Sequence, residues 1–395
     1  MQFVVCLTEL AGVTSYTGGV GRRYAATLPE LVRLGHKITV VLVADSPLLE
    51  RPAQIEGLRL ITSELLTKIP WRLRTVPRAL IFGFILHAVK ARKIYAPEWL
   101  GTAVFAPRGS KIVTNLVASL SLISNIAGKE VTNKRARFKT MLDRVQIWCE
   151  DRQIRRSKEV VACSGAILNW NHARYGQEFP PGSVVANCIN VQRTRMIAQS
   201  AAVPPSWPKT NGPVVVFAGR VQLIKGIDVA LEAFRGVNAE NPDVHFVVAG
   251  GEGDLTIDPS LDQLRRNVDA DLREKTTFLG QLDESSLYAC MREAAVVVCP
   301  SRWEAFGNIA LEVRASGGVL VATTGSGFAA SCEHEVDSLL VPPSDPEALG
   351  QAILRVINDD NLRRRLLLHG QSRVDDFTAS STANTLSQQL EKSWN

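Results

Sequence analysis

Residues 297–327 read VVCPSRWEAFGNIALEVRASGGVLVATTGSG. Val296, Val297, Val298 and Cys299 make an apolar run of strand length, closed by Pro300 and Ser301. A helix is predicted from near Gly307 or Asn308, carrying Ile309, Ala310, Leu311 and Val313 to Ala315. Gly317 and Gly318 stop it, and Val319 to Val321 open the next strand. The stretch belongs to a β-α-β unit with a long polar loop at the carboxyl end of its first strand. Open parallel sheets bind ligands at that edge, so the chain is of the α/β class and the loop is a candidate site.

Glu304 lies just before the helix, where its carboxylate is free to accept from ligand hydroxyls. The backbone N–H groups of Gly307, Asn308 and Ile309 fall in the first turn, lack helical partners and attract an anion such as phosphate. Glu312 sits about a turn further in, and helical side chains lean toward the N-terminus, so its carboxylate reaches back toward the same place. A carboxylate close to a phosphate is repelled unless it accepts bonds from hydroxyls. The pattern therefore suits a ligand with phosphate in the middle and hydroxyls at both ends, the form of a nucleotide sugar. The same spacing also suits a solvated loop acid followed by an ordinary helix glutamate.

The segment Glu304-x-Phe306-Gly307-x-x-x-Leu311-Glu312 resembles the E-x7-E motif of the retaining GT-B glycosyltransferases, the family of glycogen synthase and of bacterial mannosyl- and glucosyltransferases. The resemblance implies two Rossmann-like parallel-sheet domains facing across a cleft. It implies that Glu304 contacts hydroxyls of the donor sugar, that Glu312 holds the nucleotide ribose, and that Phe306, Gly307, Asn308 and Ile309 border the donor.

Upstream, Val214 to Ala218 reads as a strand, followed by Gly219-Arg220-Val-Gln-Leu-Ile-Lys225-Gly226 and a helix to Phe234. Two cations at a strand end beside a helix start suit a pyrophosphate. They resemble the family's G-R-x4-K-G, whose Arg and Lys neutralise the departing nucleotide diphosphate, so Arg220 and Lys225 join Glu304 as candidate catalytic residues. Val244 to Ala249 is a further strand, ending in a second glycine loop at 250–253, and Thr277 to Leu279 another. Asp269-Ala-Asp271 matches D-x-D literally but sits in a helical, highly charged segment and is rejected as a metal site.

In the first half, Phe3 to Leu7 is a strand leading to Gly18-Gly19-Val20-Gly21, a helix from Arg22 to Leu34, and a strand from Ile38 to Val43. Gly18 and Gly19 let backbone amides approach a phosphate or sugar, although a simple turn is the more common explanation of such a loop. The loop resembles the family's N-domain loop at the donor phosphate. Its spacing is wrong for the dinucleotide fingerprint G-x-G-x-x-G. His36 reads as structural. Glu98 and Trp99 follow a short strand and suit an acceptor sugar or a plug in the cleft. Ile112 to Val117 is another strand, after which many relatives place a His. This chain has none between His87 and His172: either another side chain such as Asn115 stands in, or turnover is compromised.

Asn187-Cys-Ile-Asn190 resembles the family's N-G-[IV]-D segment at the domain junction. The expected organisation is an acceptor-binding domain over 1–190, a linker over 191–213 and a donor-binding domain over 214–377. A final helix within 378–395 is expected to return to the first domain.

A chain of 395 residues suits two domains, and 46% hydrophobic with 21% charged residues excludes a disordered or fibrous protein. The seven Cys form no CxxC pair and read as buried thiols of a reducing cytoplasm, with the inner membrane face as a place of contact. MQFVVCL reads as a first strand instead of a signal peptide. Residues 1–190 hold 26 Lys+Arg against 13 Asp+Glu and the remainder 19 against 26, so the first domain faces something anionic. Membrane phospholipid, a lipid-pyrophosphate acceptor and an acidic glycan all fit, whereas no nucleic-acid-binding motif accompanies the charge. Lys68, Arg72, Arg74, Arg78, Lys90, Arg92 and Lys93 bracket an apolar run from Ala79 to Leu86, readable as a membrane-surface segment or as a core helix with a basic rim. A second basic stretch covers 129–158, with Lys134, Arg135, Arg137, Lys139 and Arg144 among its cations.

The expected activity is retaining, metal-independent hexosyl transfer from a UDP- or GDP-sugar to a glycan, lipid-linked or small-molecule hydroxyl in cell-surface polysaccharide or glycoconjugate synthesis. No further cofactor is implied. The alternatives are a non-catalytic sugar-nucleotide-binding subunit and a nucleotide-sugar epimerase.

Overall fold

A computed structural model describes residues 1–53, 56–126, 134–253 and 258–395, without the side chains of residues 72 and 134–140. The basic-stretch residues Arg72, Lys129, Lys134, Arg135, Arg137 and Lys139 thus lie outside the described side chains. The chain divides into two compact units, residues 1–188 with 379–395, and residues 189–378.

In the first unit the strands are β1 (Gln2–Leu7), β2 (Lys37–Val43), β3 (Leu58–Ser63), β4 (Lys93–Pro97), β5 (Lys111–Leu116), β6 (Glu159–Ala162) and β7 (Gly182–Val184). They form one sheet in the order β3-β2-β1-β4-β5-β6-β7, with every pairing parallel. The chain moves outward from β1 to β3 and then returns to lay β4 on the other side of β1. Alternation along β1 divides the core. Phe3, Val5 and Leu7 meet Tyr24, Leu28 and Leu31 of helix α1 (Gly19–Arg33) together with Leu386, Leu390 and Trp394 of the C-terminal helix Ala379–Trp394. Val4 and Cys6 face the other way, toward Phe82 and Leu86 of helix α2 (Thr75–Ala88). His36 is buried beneath the C-terminal helix, its Nε2 2.7 Å from Ser387 Oγ.

The second unit carries β8 (Val214–Ala218), β9 (His245–Ala249), β10 (Thr276–Gly280), β11 (Val296–Cys299), β12 (Leu320–Thr323) and β13 (Leu339–Val341), again all parallel, in the order β10-β9-β8-β11-β12-β13. Every residue of β8 and β11 is buried, which explains unbroken apolar runs in place of alternation: both faces are covered by helices. Each such side chain contributes roughly 1.5–3 kcal/mol of burial, so the strand runs fix the sheet before any loop chemistry matters.

Two expectations need correcting. Residues 191–213 are not linker throughout: Val191–Ser200 is a helix of the second unit, its N-terminus capped by the Asn190 side chain accepting from Arg193 N–H at 3.0 Å. Arg292 ties the end of this helix down by donating to the carbonyls of Ala198 and Ala201. A short polar helix held at its ends lacks the apolar periodicity that sequence reading relies on. Asp269 and Asp271 lie in turns after the helix Leu261–Asn267 instead of inside a helix, and Asp269 pairs with Arg235.

All seven cysteines are buried, and none is in a disulfide. Among the described residues no helix is long and apolar enough to cross a membrane.

Candidate functional site

Neighbouring strands whose chain connections leave in opposite directions open a crevice at their carboxyl ends. In the second unit that switch lies between β8 and β11. The loop after β8 carries Arg220 and Lys225, and the loop after β11 carries Glu304. The fold thus brings together residues 79 positions apart: Lys225 Nζ donates to Glu304 Oε1 at 2.6 Å. Ser301 Oγ donates to the same oxygen at 2.8 Å. The carboxylate is 11% and the ammonium 26% exposed, so the pair is only partly screened and stays within reach of a ligand.

Local backbone constraints hold the two loops in register. Gly226 has φ +72°, and a Cβ there would lie 2.0 Å from the Pro300 carbonyl oxygen. Only glycine lets the turn after Lys225 approach the end of β11 so closely. Arg302 N–H donates to the Ile224 carbonyl at 2.8 Å, and the Arg302 guanidinium grips Asp228 with two bonds of 2.7 Å. Asp258 accepts from Leu223 N–H and from the Gln222 amide, each at 3.1 Å. Gly226, Asp258 and Arg302 are thus positioning residues, of which the motif reading missed Asp258 and Arg302. The bidentate Arg302–Asp228 pair had no sequence signal, whereas the glycine directly after Lys225 was visible in the motif.

The helix after Glu304 is Asn308–Ser316, with Gly307 at its N-cap and φ +82°. A Cβ on Gly307 would stand 2.4 Å from the Phe328 ring. Asn308, Ile309 and Glu312 are partly exposed on this helix. The charged groups converge on the end of β11. The Cys299 thiol is pushed far up, first by burial and next by the Glu304 charge, with Lys225 opposing and Glu312 adding to the rise. Exposed Arg220 lies on the same loop as Lys225, and the helix that begins at Asn308 starts four residues after Glu304.

Phe306 departs from its expected role. Its ring is 2% exposed and packs edge-on against Phe377 with centroids 6.1 Å apart, so the ring seats the loop from inside.

The first unit has its own switch, between β1 and β4, and there the outcome differs. Gly18 N–H donates to Glu9 Oε2 at 2.8 Å and Gly21 N–H to Glu9 Oε1 at 2.9 Å. The helix start expected to cradle a ligand phosphate already holds a carboxylate of its own, and Gly19 follows as the first residue of α1. Glu9 was overlooked, although an acid just after the first strand and ahead of a glycine-opened helix is a readable signal.

Glu98 is fully buried, and its carboxylate accepts from Val117 N–H at 2.5 Å. Burial holds its acid form well above the usual carboxylate range, with nearby Glu150 adding to the rise and the Val117 amide opposing it. Asn115 is also fully buried: its Oδ1 accepts from Arg23 at 2.7 Å and its Nδ2 donates to the Tyr24 hydroxyl at 3.3 Å. Neither Glu98 nor Asn115 presents its side chain to an acceptor. Glu98 Oε2 and both polar atoms of the Asn115 side chain are bonded within the fold, whereas Glu98 Oε1 is buried without a hydrogen-bond partner among the described residues. Trp99 is half-buried and lines a groove of 270 Å³ with Asp45, Trp71, Arg74 and Gln146.

Among the described residues no cluster of His, Cys, Asp and Glu could hold a metal ion.

Residues 212–359 match the family model described as "Glycosyl transferases group 1". The chain is 31% identical over 180 residues to a D-inositol 3-phosphate glycosyltransferase of Jonesia denitrificans, covering 45% of this chain and 42% of that one. It is 26% identical over 236 residues to a glycogen synthase of Mycobacterium tuberculosis, covering 60% and 54%. The chain thus spans about half the length of the curated relatives it matches. A solved sucrose-phosphate synthase from Thermosynechococcus elongatus superposes with a TM-score of 0.74 at 20% identity, over 99% of this chain and 98% of that one. The two parallel sheets are those of the GT-B fold. The segment that matches the group 1 glycosyltransferases lies within the second unit and holds Arg220, Lys225, Glu304 and Glu312.

Proposed function

We propose that the chain is a retaining glycosyltransferase, moving a hexosyl group from a nucleoside-diphosphate sugar to an acceptor hydroxyl. The observation that carries this reading is the Lys225–Glu304 pair at the β8/β11 switch, with Arg220 on the loop of Lys225 and helix 308–316 directly after the loop of Glu304. When the anomeric carbon–phosphate bond breaks, negative charge develops on the diphosphate and positive charge on the sugar. Arg220, Lys225 and the helix-start amides stabilise the first, which is the work a divalent ion does elsewhere, so transfer needs no metal. Glu304 leaves its ammonium partner to accept sugar hydroxyls, and Glu312 accepts from the ribose. The acceptor oxygen bonds to the anomeric carbon from the face the phosphate leaves, and its proton passes to the departing phosphate oxygen. No protein base is required, which fits an edge of the first unit where Glu98 and Asn115 are buried.

The donor is a UDP- or GDP-sugar. The acceptor is a glycan, lipid-linked or small-molecule hydroxyl of cytoplasmic polysaccharide or glycoconjugate synthesis, with Trp99 as its remaining named contact. The charge of residues 1–190 favours an anionic acceptor or membrane surface.

Thermal melting against UDP-, GDP- and ADP-sugars, followed by assay of sugar release in the presence of EDTA, tests the reading. A raised melting point with one donor and EDTA-insensitive turnover are expected. A melting shift without hydrolysis or transfer to any acceptor would instead establish a binding subunit, and no shift with any nucleotide sugar ends the proposal.

A further inference from the structure

A helix on the surface of a water-soluble unit ordinarily turns a polar face outward. Helix α2 does the reverse. Its sequence, TVPRALIFGFILHA, holds one Arg, Arg78, and that residue is buried against Asp45. The outer face carries Val76, Leu80 and Phe84, one turn apart, which are 45%, 57% and 77% exposed. Trp71 and Leu73, just ahead of the helix, are 66% and 46% exposed. Arg74, expected as part of a basic rim, is spent on the carbonyls of Asp45, Thr67 and Ile69.

The apolar surface continues onto the neighbouring helix Lys134–Arg156. Phe105 bridges the two, close against Gly83 of α2 and 6.3 Å from the Trp148 ring. On that helix Met141 and Trp148 are 60% and 50% exposed, on one stripe with exposed Arg144 and Arg152. The Arg152 guanidinium lies 5.6 Å from the Trp148 ring centroid. Exposed Lys68, Lys90 and Arg92 stand at the two ends of the α2 segment, and no acid occurs from 65 to 93.

We propose that the outer faces of α2 and of residues 141–156 of the neighbouring helix form a docking surface for an anionic lipid bilayer. Leu80 and Phe84 enter the acyl boundary, Trp148 lies at the headgroup level, and the flanking cations meet lipid phosphates. Large apolar and aromatic side chains on one face with Lys and Arg at the rim are what an interfacial helix needs. A second copy of the chain is the weaker occupant, because a two-fold contact through this face would set the two cation rims against each other. The inference extends the charge reading of the first unit and stands apart from glycosyl transfer, so its failure leaves that reading intact.

The test is co-flotation of the full chain with phosphatidylcholine vesicles, with and without phosphatidylglycerol, at low and high salt. Binding only to the anionic vesicles, weakened by salt, is expected. Leu80→Ser with Phe84→Ser, and separately Arg144→Glu with Arg152→Glu, should each weaken it by about tenfold or more. Quenching of tryptophan fluorescence by brominated lipid in the unaltered chain gives a readout that needs no variant. The proposal is overturned by absence of binding and quenching, by equal binding to neutral vesicles, or by variants that fold and bind as the parent does. A dimer that the Leu80→Ser, Phe84→Ser chain loses, with no vesicle binding by the parent, assigns the face to self-association instead.

Discussion

The two switch points of this molecule have the same topology and opposite electrostatic states. At β1/β4 the helix-start amides are taken by Glu9, Asn115 is used up by Arg23 and Tyr24, and Glu98 is sealed in beside Glu150. At β8/β11 a partly exposed ammonium and carboxylate face each other, with an exposed arginine, Arg220, on the same loop as the ammonium. A crevice whose polar groups are mostly bonded to one another, with Glu98 Oε1 left over, leans toward architecture. One that pairs charges reachable by water is poised to exchange them for a ligand's.

The contrast breaks first at Lys225. Lys225→Ala removes the charge facing the departing diphosphate while leaving the loop geometry, which Gly226, Asp258 and Arg302 hold. Transfer should fall by about 10²–10³-fold, mostly in kcat, because the interaction strengthens as charge develops. Equal kcat in the variant, measured by sugar-nucleotide turnover, would remove Lys225 from the chemistry.

The sealed edge should respond to pH in its stability. Burial pushes Glu150 up to about 7, against opposing hydrogen bonds from the Gln146 side chain and the amides of Leu120 and Leu100. The folded state therefore holds a proton that the unfolded chain releases near 4.5. Between those values the native state binds more protons, so stability is greatest below the lower one and is lost as pH rises through about 7. The loss is on the order of 3 kcal/mol at most. Burial moves Glu98 in the same direction. Urea unfolding across this range should show a decline that Glu150→Gln flattens; a parent whose stability rises with pH would contradict the burial argument. Asn115→Ala, which strands the Arg23 guanidinium, should cost roughly 1–3 kcal/mol in the same assay.

The second unit was more legible in sequence than the first, and the reason is physical. Its ligand-facing groups are charged residues at fixed distances from strand ends, and a short loop cannot move them far. Val214–Ala218, with Arg220 and Lys225 just beyond it, therefore located its own crevice. In the first unit the decisive contacts are between distant residues, such as Glu9 with Gly18 and Arg23 with Asn115, where identity says nothing of burial. Glu98 read as a cleft acid because an acid after a strand ordinarily meets water. Helix α2 misled in the opposite sense: its cations suggested a basic rim, yet Arg78 points inward and the apolar residues point out. Phe306 shows the same limit at smaller scale, since a motif fixes the residue's place in the loop but not the side of the loop its ring takes.

The smallest effect sharpens the comparison most. If the Lys225–Glu304 pair exists to receive a ligand, it need contribute little to the empty protein's stability. Both groups are partly exposed, and pairs of that kind are worth about 0–1 kcal/mol. Lys225→Met should therefore shift the melting point of the ligand-free chain by only a few degrees, less than Asn115→Ala does. Addition of a nucleoside diphosphate should raise the parent's melting point and leave that of Lys225→Met nearly where it was, because stabilisation by ligand follows affinity. A large loss without ligand would mean that the pair is a structural clamp. The two switch points would then differ in exposure alone, and the donor assignment would rest on Arg220 and the helix start.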